Sequence, residues 1–173
     1  DQLEHVAERL DYTVYNSQSH NTLLADLAKE FARLLSILWQ NPSDKDIVNL
    51  GKLYMSLEEY DKAVAQFDEV IRKIKQEQIT DPIHFAALRS RIYANINTHD
   101  KDTVIKECDN LISITSNTLP LLVDAYLVKG NVYEHFKDYD NALLTFAKAI
   151  ESNPQSPDSY NAFAWFIVNT QPA

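Results

Sequence analysis

Residues 50–71 read LGKLYMSLEEYDKAVAQFDEVI, and residues 129–150 read KGNVYEHFKDYDNALLTFAKAI. Laid over each other at an offset of 79, they bring Gly51 onto Gly130, Tyr54 onto Tyr133 and Tyr60 onto Tyr139. Asp61 meets Asp140, Ala63 meets Ala142, Phe67 meets Phe146 and Ile71 meets Ile150. The chain has only two glycines, and both fall in the same slot. Gly and Tyr three apart share one face of a first helix, and Ala and Phe four apart share one face of a second. Between them, residues 57–61 and 136–140 are short polar and aromatic stretches that reverse the chain. Each copy therefore reads as a helical hairpin in which small residues let two backbones approach and aromatic rings fill the space beside them. A lone hairpin cannot bury its apolar face, so neighbouring hairpins must stack.

These residues resemble the tetratricopeptide repeat, whose unit is about 34 residues long. In the later copy Tyr126, Gly130, Tyr133, Ala142, Phe146, Ala149 and Pro154 stand at the family's spacing, with Lys129 in a slot that usually holds Leu. The earlier copy keeps Leu50, Gly51, Tyr54, Ala63 and Phe67, with Val70 where the family prefers Ala. The resemblance implies an all-α fold, a right-handed superhelical array of antiparallel helix hairpins of α-solenoid type. It also implies a concave face, lined by the first helix of each repeat, that takes a peptide or helix of a partner protein.

The rest of the chain divides around the two copies. The offset exceeds two units by about 11 residues, so a degenerate, lengthened repeat is expected over 81–117, between a repeat at 43–80 and one at 118–155. Asp81-Pro82 supplies its helix start, a cap followed by proline in the first turn. Ile83, Phe85, Ala86, Leu88, Ile92, Tyr93 and Ile96 then form one amphipathic helix, with a partner over 100–114. Ser43 followed by Asp46 resembles a capping box ahead of the first clear repeat. Ser156-Pro157-Asp158 opens a last helix over 156–173, a cap of the array or the start of a truncated repeat. There Tyr160, Phe163 and Ala164 take large, large and small slots. Residues 1–42 read as a helical cap or a decayed repeat, with a strong stripe of Leu23, Leu24, Leu27, Phe31, Leu34, Leu35 and Leu38. That stripe makes a homo-oligomer through the N-terminal helices an expectation.

Composition narrows the function. Sixteen Lys and Arg against twenty-five Asp and Glu leave a net charge of −9. Such a surface repels phosphates, so no nucleic-acid partner is expected. No run approaches the roughly 20 apolar residues of a membrane span. The single cysteine, Cys108, excludes an internal disulfide. It falls in the apolar pattern of Val104, Ile105, Leu111 and Ile112 and reads as core, in keeping with a reducing compartment such as the cytoplasm. The sequence opens on Asp1 without a signal-peptide pattern and reads as a segment of a longer protein or a processed one.

Nothing in the sequence calls for an enzyme. His5, His20, His84, His99 and His135 include no pair at the i, i+4 spacing of a helical zinc site, so no metal and no cofactor are expected. Adjacent acids such as Glu58-Glu59 and Asp68-Glu69 point in different directions. Neither glycine belongs to a phosphate-cradling loop, and no serine sits in a nucleophile elbow. The expected function is a scaffold or adaptor binding a protein or peptide. A regulatory or oligomerisation module of a longer enzyme or signalling protein is the alternative.

Candidate groove residues follow from the outward positions of each first helix. They are Val48, Lys52, Met55 and Ser56 on the first clear repeat, and Arg91 and Asn95 on the middle unit. Leu127, Asn131, Glu134 and His135 follow on the later copy, and Asn161 and Trp165 on the last helix. Trp165 reads first as cover for the end of the array and second as a binding residue. Tyr54, Tyr60, Tyr133, Tyr139, Phe67 and Phe146 read as core. Chaperone-adaptor members of the family clamp a terminal carboxylate with Lys and Asn four apart. The corresponding pairs are Val48 with Lys52 and Leu127 with Asn131, of which only Asn131 has that chemistry, so such a clamp is not expected.

Overall fold

The computed structural model describes residues 42–74, 79 and 81–170. Seven helices lie in that part of the chain: α1 (Asp44–Ser56), α2 (Tyr60–Ile71), α3 (Pro82–Asn95), α4 (Lys101–Thr115), α5 (Leu119–His135), α6 (Tyr139–Ser152) and α7 (Pro157–Thr170). No strand occurs among the described residues. The protein is all-α, built of helical hairpins. The apolar stripe at 23–38, and the oligomerisation expected from it, lie outside the described residues.

The chain divides into two compact units, Asp1–Ile74 and Lys75–Ala173. In the first, α1 packs on α2. The Ser43 backbone N–H donates to Asp46 Oδ2 at 3.0 Å and the Asp46 N–H to Ser43 Oγ at 3.3 Å, completing the capping box foreseen in the sequence. Ala63, Phe67 and Val70 on α2 are fully buried against the Leu50, Gly51 and Leu53 face of α1.

The second unit chains its helices in order. α3 packs on α4, α4 on α5, α5 on α6 and α6 on α7, while α5 also touches α3 and α7, its counterparts in the flanking hairpins. The Ile83 N–H donates to the Asp81 side chain at 2.8 Å, with Pro82 in the first turn of α3, and Asp100 and Asp138 cap α4 and α6 likewise. Ile79 is pinned ahead of α3 by its own N–H to the Ile114 carbonyl at 3.0 Å. Around α6, buried Ala142, Phe146 and Phe166 form a cluster on which Leu127, Tyr133, Phe163 and Ile167 pack. The Phe146 and Phe166 rings lie 5.2 Å apart, so α7 is held by the aromatic that fills its neighbour's hairpin.

The two clear hairpins share their turn as well as their slots. Glu58 and Lys137, corresponding positions, are the non-glycine residues of positive φ among the described residues, at 59° and 58°. In both turns the N–H three places past the helix reaches back five residues, Glu59 to the Tyr54 carbonyl and Asp138 to that of Tyr133, each at 2.9 Å. This is the Schellman pattern, which satisfies otherwise orphaned carbonyls at a helix end.

Several aromatic assignments change. Phe67 and Phe146 are core as expected, but Tyr139 is exposed although its ring reaches Phe166 at 6.3 Å. On α7, Ser159 and Phe166 are the buried positions, while Tyr160, Ala164 and Trp165 face outward. In the two clear hairpins the small slot is closed by the phenylalanine of the following helix. No helix follows α7 among the described residues, so Ala164 in that slot stays open.

Candidate functional site

Helix α5 has two faces. Val123, Ala125, Val128, Gly130 and Val132 are buried, whereas Asn131, Glu134 and His135 are reached by solvent. On α7 the exposed neighbours of that polar stripe are Asn161 and Trp165, the latter with 60% of its surface open. Asn131, Glu134, His135, Ala162 and Trp165 together line an open concavity of about 570 Å³. Four residues expected in a groove are thus brought to one place by the direct contact of α5 with α7. Trp165 is partly covered and partly open along the edge of that concavity.

Asn131, at the concavity's edge, also reaches α3. The Asn131 side-chain amide donates to the Tyr93 hydroxyl at 3.1 Å. Burial pushes the Tyr93 phenol up, and the Asn131 hydrogen bond pulls it partly back. Burial likewise pushes the Asp124 carboxyl up; the Arg89 guanidinium opposes that shift and the Asp158 carboxylate adds to it. Glu134 is raised by burial alone. The His135 ring stands edge-on to Phe136 at 5.2 Å.

Other expected groove residues are placed elsewhere. Val48 is buried, 2% exposed, and belongs to the core of the first unit. Lys52 is exposed on α1, with Met55 and Ser56 half-buried beside it, and the Ser56 hydroxyl donates to the Lys52 carbonyl at 3.2 Å. Leu127 packs against the Ala142, Phe146 and Phe166 cluster. Arg91 and Asn95 turn toward α4: the Asn95 amide donates to Glu107 Oε1 at 2.8 Å and Arg91 Nε lies 3.6 Å from Glu107 Oε2. The side chains that α3 directs toward α5 are Arg89 and Tyr93, which sequence reading did not assign to the site. An arginine and a tyrosine four apart share a helix face, and that spacing was the available signal.

Lys129, the departure from the family's leucine, is also accounted for. Its ammonium pairs with Asp109 on α4 and lies 5.5 Å from the centre of the Tyr133 ring, while its stem is largely covered. A long aliphatic chain with a charged tip covers apolar surface as leucine would while its end finds a carboxylate.

Among the described residues no three His, Cys, Asp or Glu side chains gather as metal ligands would, and no helix is long and apolar enough to cross a membrane. None of the curated proteins matches the sequence. Residues 47–72 and 123–156 match the family described as the tetratricopeptide repeat. Each of those segments holds one of the two glycines together with the phenylalanine that closes on it. Repeats of this kind are generally protein–protein interaction modules, and the chain carries tetratricopeptide repeats over those two segments.

Proposed function

We propose that this protein is an adaptor that binds a segment of a partner protein along the first-helix face of its repeats. The supporting observation is the meeting of Asn131, Glu134, His135 and Trp165 around one open concavity. An aromatic ring left 60% exposed beside hydrogen-bonding side chains is the composition of an interface anchor, since tryptophan gives large contact area at low conformational cost. Arg89, Tyr93 and Asp124 continue that face toward α3, and Lys52 and Met55 are assigned the same role within the first unit. The net charge of −9 supports a protein partner over a nucleic acid.

The test uses a photo-crosslinking amino acid at exposed Asn161 in the full chain, with exposed Glu151 on α6 as the control position. Proteins crosslinked from position 161 but not from 151 are purified and their affinity measured. Trp165→Ala and Asn131→Ala are expected to weaken them without lowering the melting temperature by more than a degree or two, as befits exposed positions. Unchanged affinity for every such protein in both variants sinks the assignment.

A further inference from the structure

Resting on that reading, we propose that the concavity between α5 and α7 takes a cationic side chain, the Lys or Arg of an extended partner segment, with its charge on the Glu134 carboxylate and its body against the Trp165 ring.

The argument begins with Glu134. Its carboxylate makes no hydrogen bond and no ion pair among the described residues, although the side chain is half-buried in the wall of the concavity. Burial alone displaces its titration, in keeping with a charge that has lost water and gained no partner. Three partly covered charges nearby are paired: Lys101 with Asp138, Lys129 with Asp109, and Arg91 with Glu107. Glu134 has no such partner among the described residues, and it stands in a depression open to a ligand.

Ligand classes can then be compared. An apolar side chain seated there would strip the remaining water from Glu134 and leave a buried carboxylate uncompensated. An acidic one would meet Glu134 itself, with Asp124 and Asp158 further along the same face and −9 on the whole chain. A cation restores the lost interaction and also stacks on an indole face, the best of the aromatic platforms for lysine or arginine. Arg89, the cation nearest that face on α3, is already engaged by the Asp124 charge and lies over the Phe85 ring at 5.9 Å.

The test is a displayed library of random peptides selected against the full chain, with the enriched sequences then synthesised. Enriched peptides are expected to share one Lys or Arg. Glu134→Gln should weaken them about fivefold, the upper range of an accessible ion pair, and Trp165→Ala about two- to fivefold for loss of the ring. Glu151→Gln, which removes the same charge at a remote exposed position, should leave affinity unchanged. Exchanging the shared arginine for citrulline should reproduce the Glu134→Gln loss. Peptides that lack a basic residue yet respond to Trp165→Ala would overturn the cationic class and leave the binding face standing. Basic peptides indifferent to Glu134→Gln would overturn it equally. Enriched peptides indifferent to both Trp165→Ala and Asn131→Ala would remove the binding face itself.

Discussion

Gly130 lies directly beneath the ring of Phe146: a Cβ added to the glycine would stand 2.6 Å from Phe146 Cε1 and 2.8 Å from Cδ1 and Cζ. Gly51 and Phe67 repeat the arrangement, with the tightest approach at 2.4 Å. Neither glycine has positive φ, so it is the absent side chain that matters, and backbone freedom is not involved. Glycine in mid-helix is about 1 kcal/mol worse than alanine, and that cost is tolerated because it brings the helix axes close enough for the ring to seat.

Gly130→Ala is therefore expected to destabilise the protein despite its better helix propensity. Phe146 is buried and wedged against Phe166, so its ring cannot swing aside. Overpacking of this kind costs about 1–3 kcal/mol, which outweighs the gain in propensity and leaves a net loss of roughly 1 kcal/mol in urea unfolding. A variant as stable as wild type would mean that the helices can part freely at this point.

The turns supply a prediction of opposite sign. Lys137 holds φ of 58° and Glu58 of 59°, a left-handed conformation that is strained for a residue with a Cβ. Lys137→Gly and Glu58→Gly should each stabilise by about 0.5–1 kcal/mol, because glycine adopts that conformation freely and the Schellman hydrogen bonds are kept. Both midpoints should rise in urea. A fall in either would show that side-chain contacts, and not the backbone, govern the turn.

What could be read in the sequence follows the same packing logic. Gly51, Tyr54, Ala63 and Phe67, and their counterparts in the later copy, were legible because close packing permits few residue types at those slots. The middle hairpin hid its register because it exchanges sizes. Counted from the Asp100 cap, Val104 and Cys108 hold the places that Ala142 and Phe146 hold counted from the Asp138 cap, and all four are buried. With a larger residue in the small slot and a smaller one in the large slot, the pattern dissolves while the packing survives. Arg91 and Asn95, which the pattern places outward, therefore turn toward Glu107 on α4, and it is Tyr93 that reaches Asn131 on α5. Val48 and Leu127 were misplaced for a different reason: an apolar residue on an outward helical position can be claimed by a neighbouring helix, and composition alone does not record which neighbour is present.

Two helix caps make the fold sensitive to acid. The Lys101 ammonium, together with Asn141, holds the Asp138 carboxyl below the usual aspartate range, and the Thr103 N–H and hydroxyl do the same for Asp100. A carboxyl whose folded pKa is depressed contributes stability that is fully present above its unfolded value of about 3.9 and is lost as pH falls through the folded value. The melting temperature should therefore decline below about pH 4. Asp138→Asn should start lower at neutral pH and decline less steeply in that acid window. Parallel wild-type and variant profiles would show that Asp138 carries no such linkage.

Cys108 makes the alkaline counterpart. The side chain is fully buried, and burial pushes its thiol up to about 12, with the Lys129 charge only partly opposing the shift. At pH 8 the thiolate is then so scarce that native-state reaction with a disulfide reagent should run roughly a thousandfold slower than for an exposed cysteine. Labelling should proceed only through transient opening of the α3–α4 hairpin, and its rate should climb with urea. The sign in alkali follows from the raised folded value: its contribution is fully present below the unfolded thiol pKa of about 8.5 and is lost as pH rises toward the folded one, because the unfolded chain sheds the proton first. Cys108→Val should remove that loss between about pH 9 and 11, whatever it does to stability at neutral pH. Rapid labelling of the native protein at pH 8, at the rate of a free cysteine, would place the thiol outside the core and contradict the packing of α4.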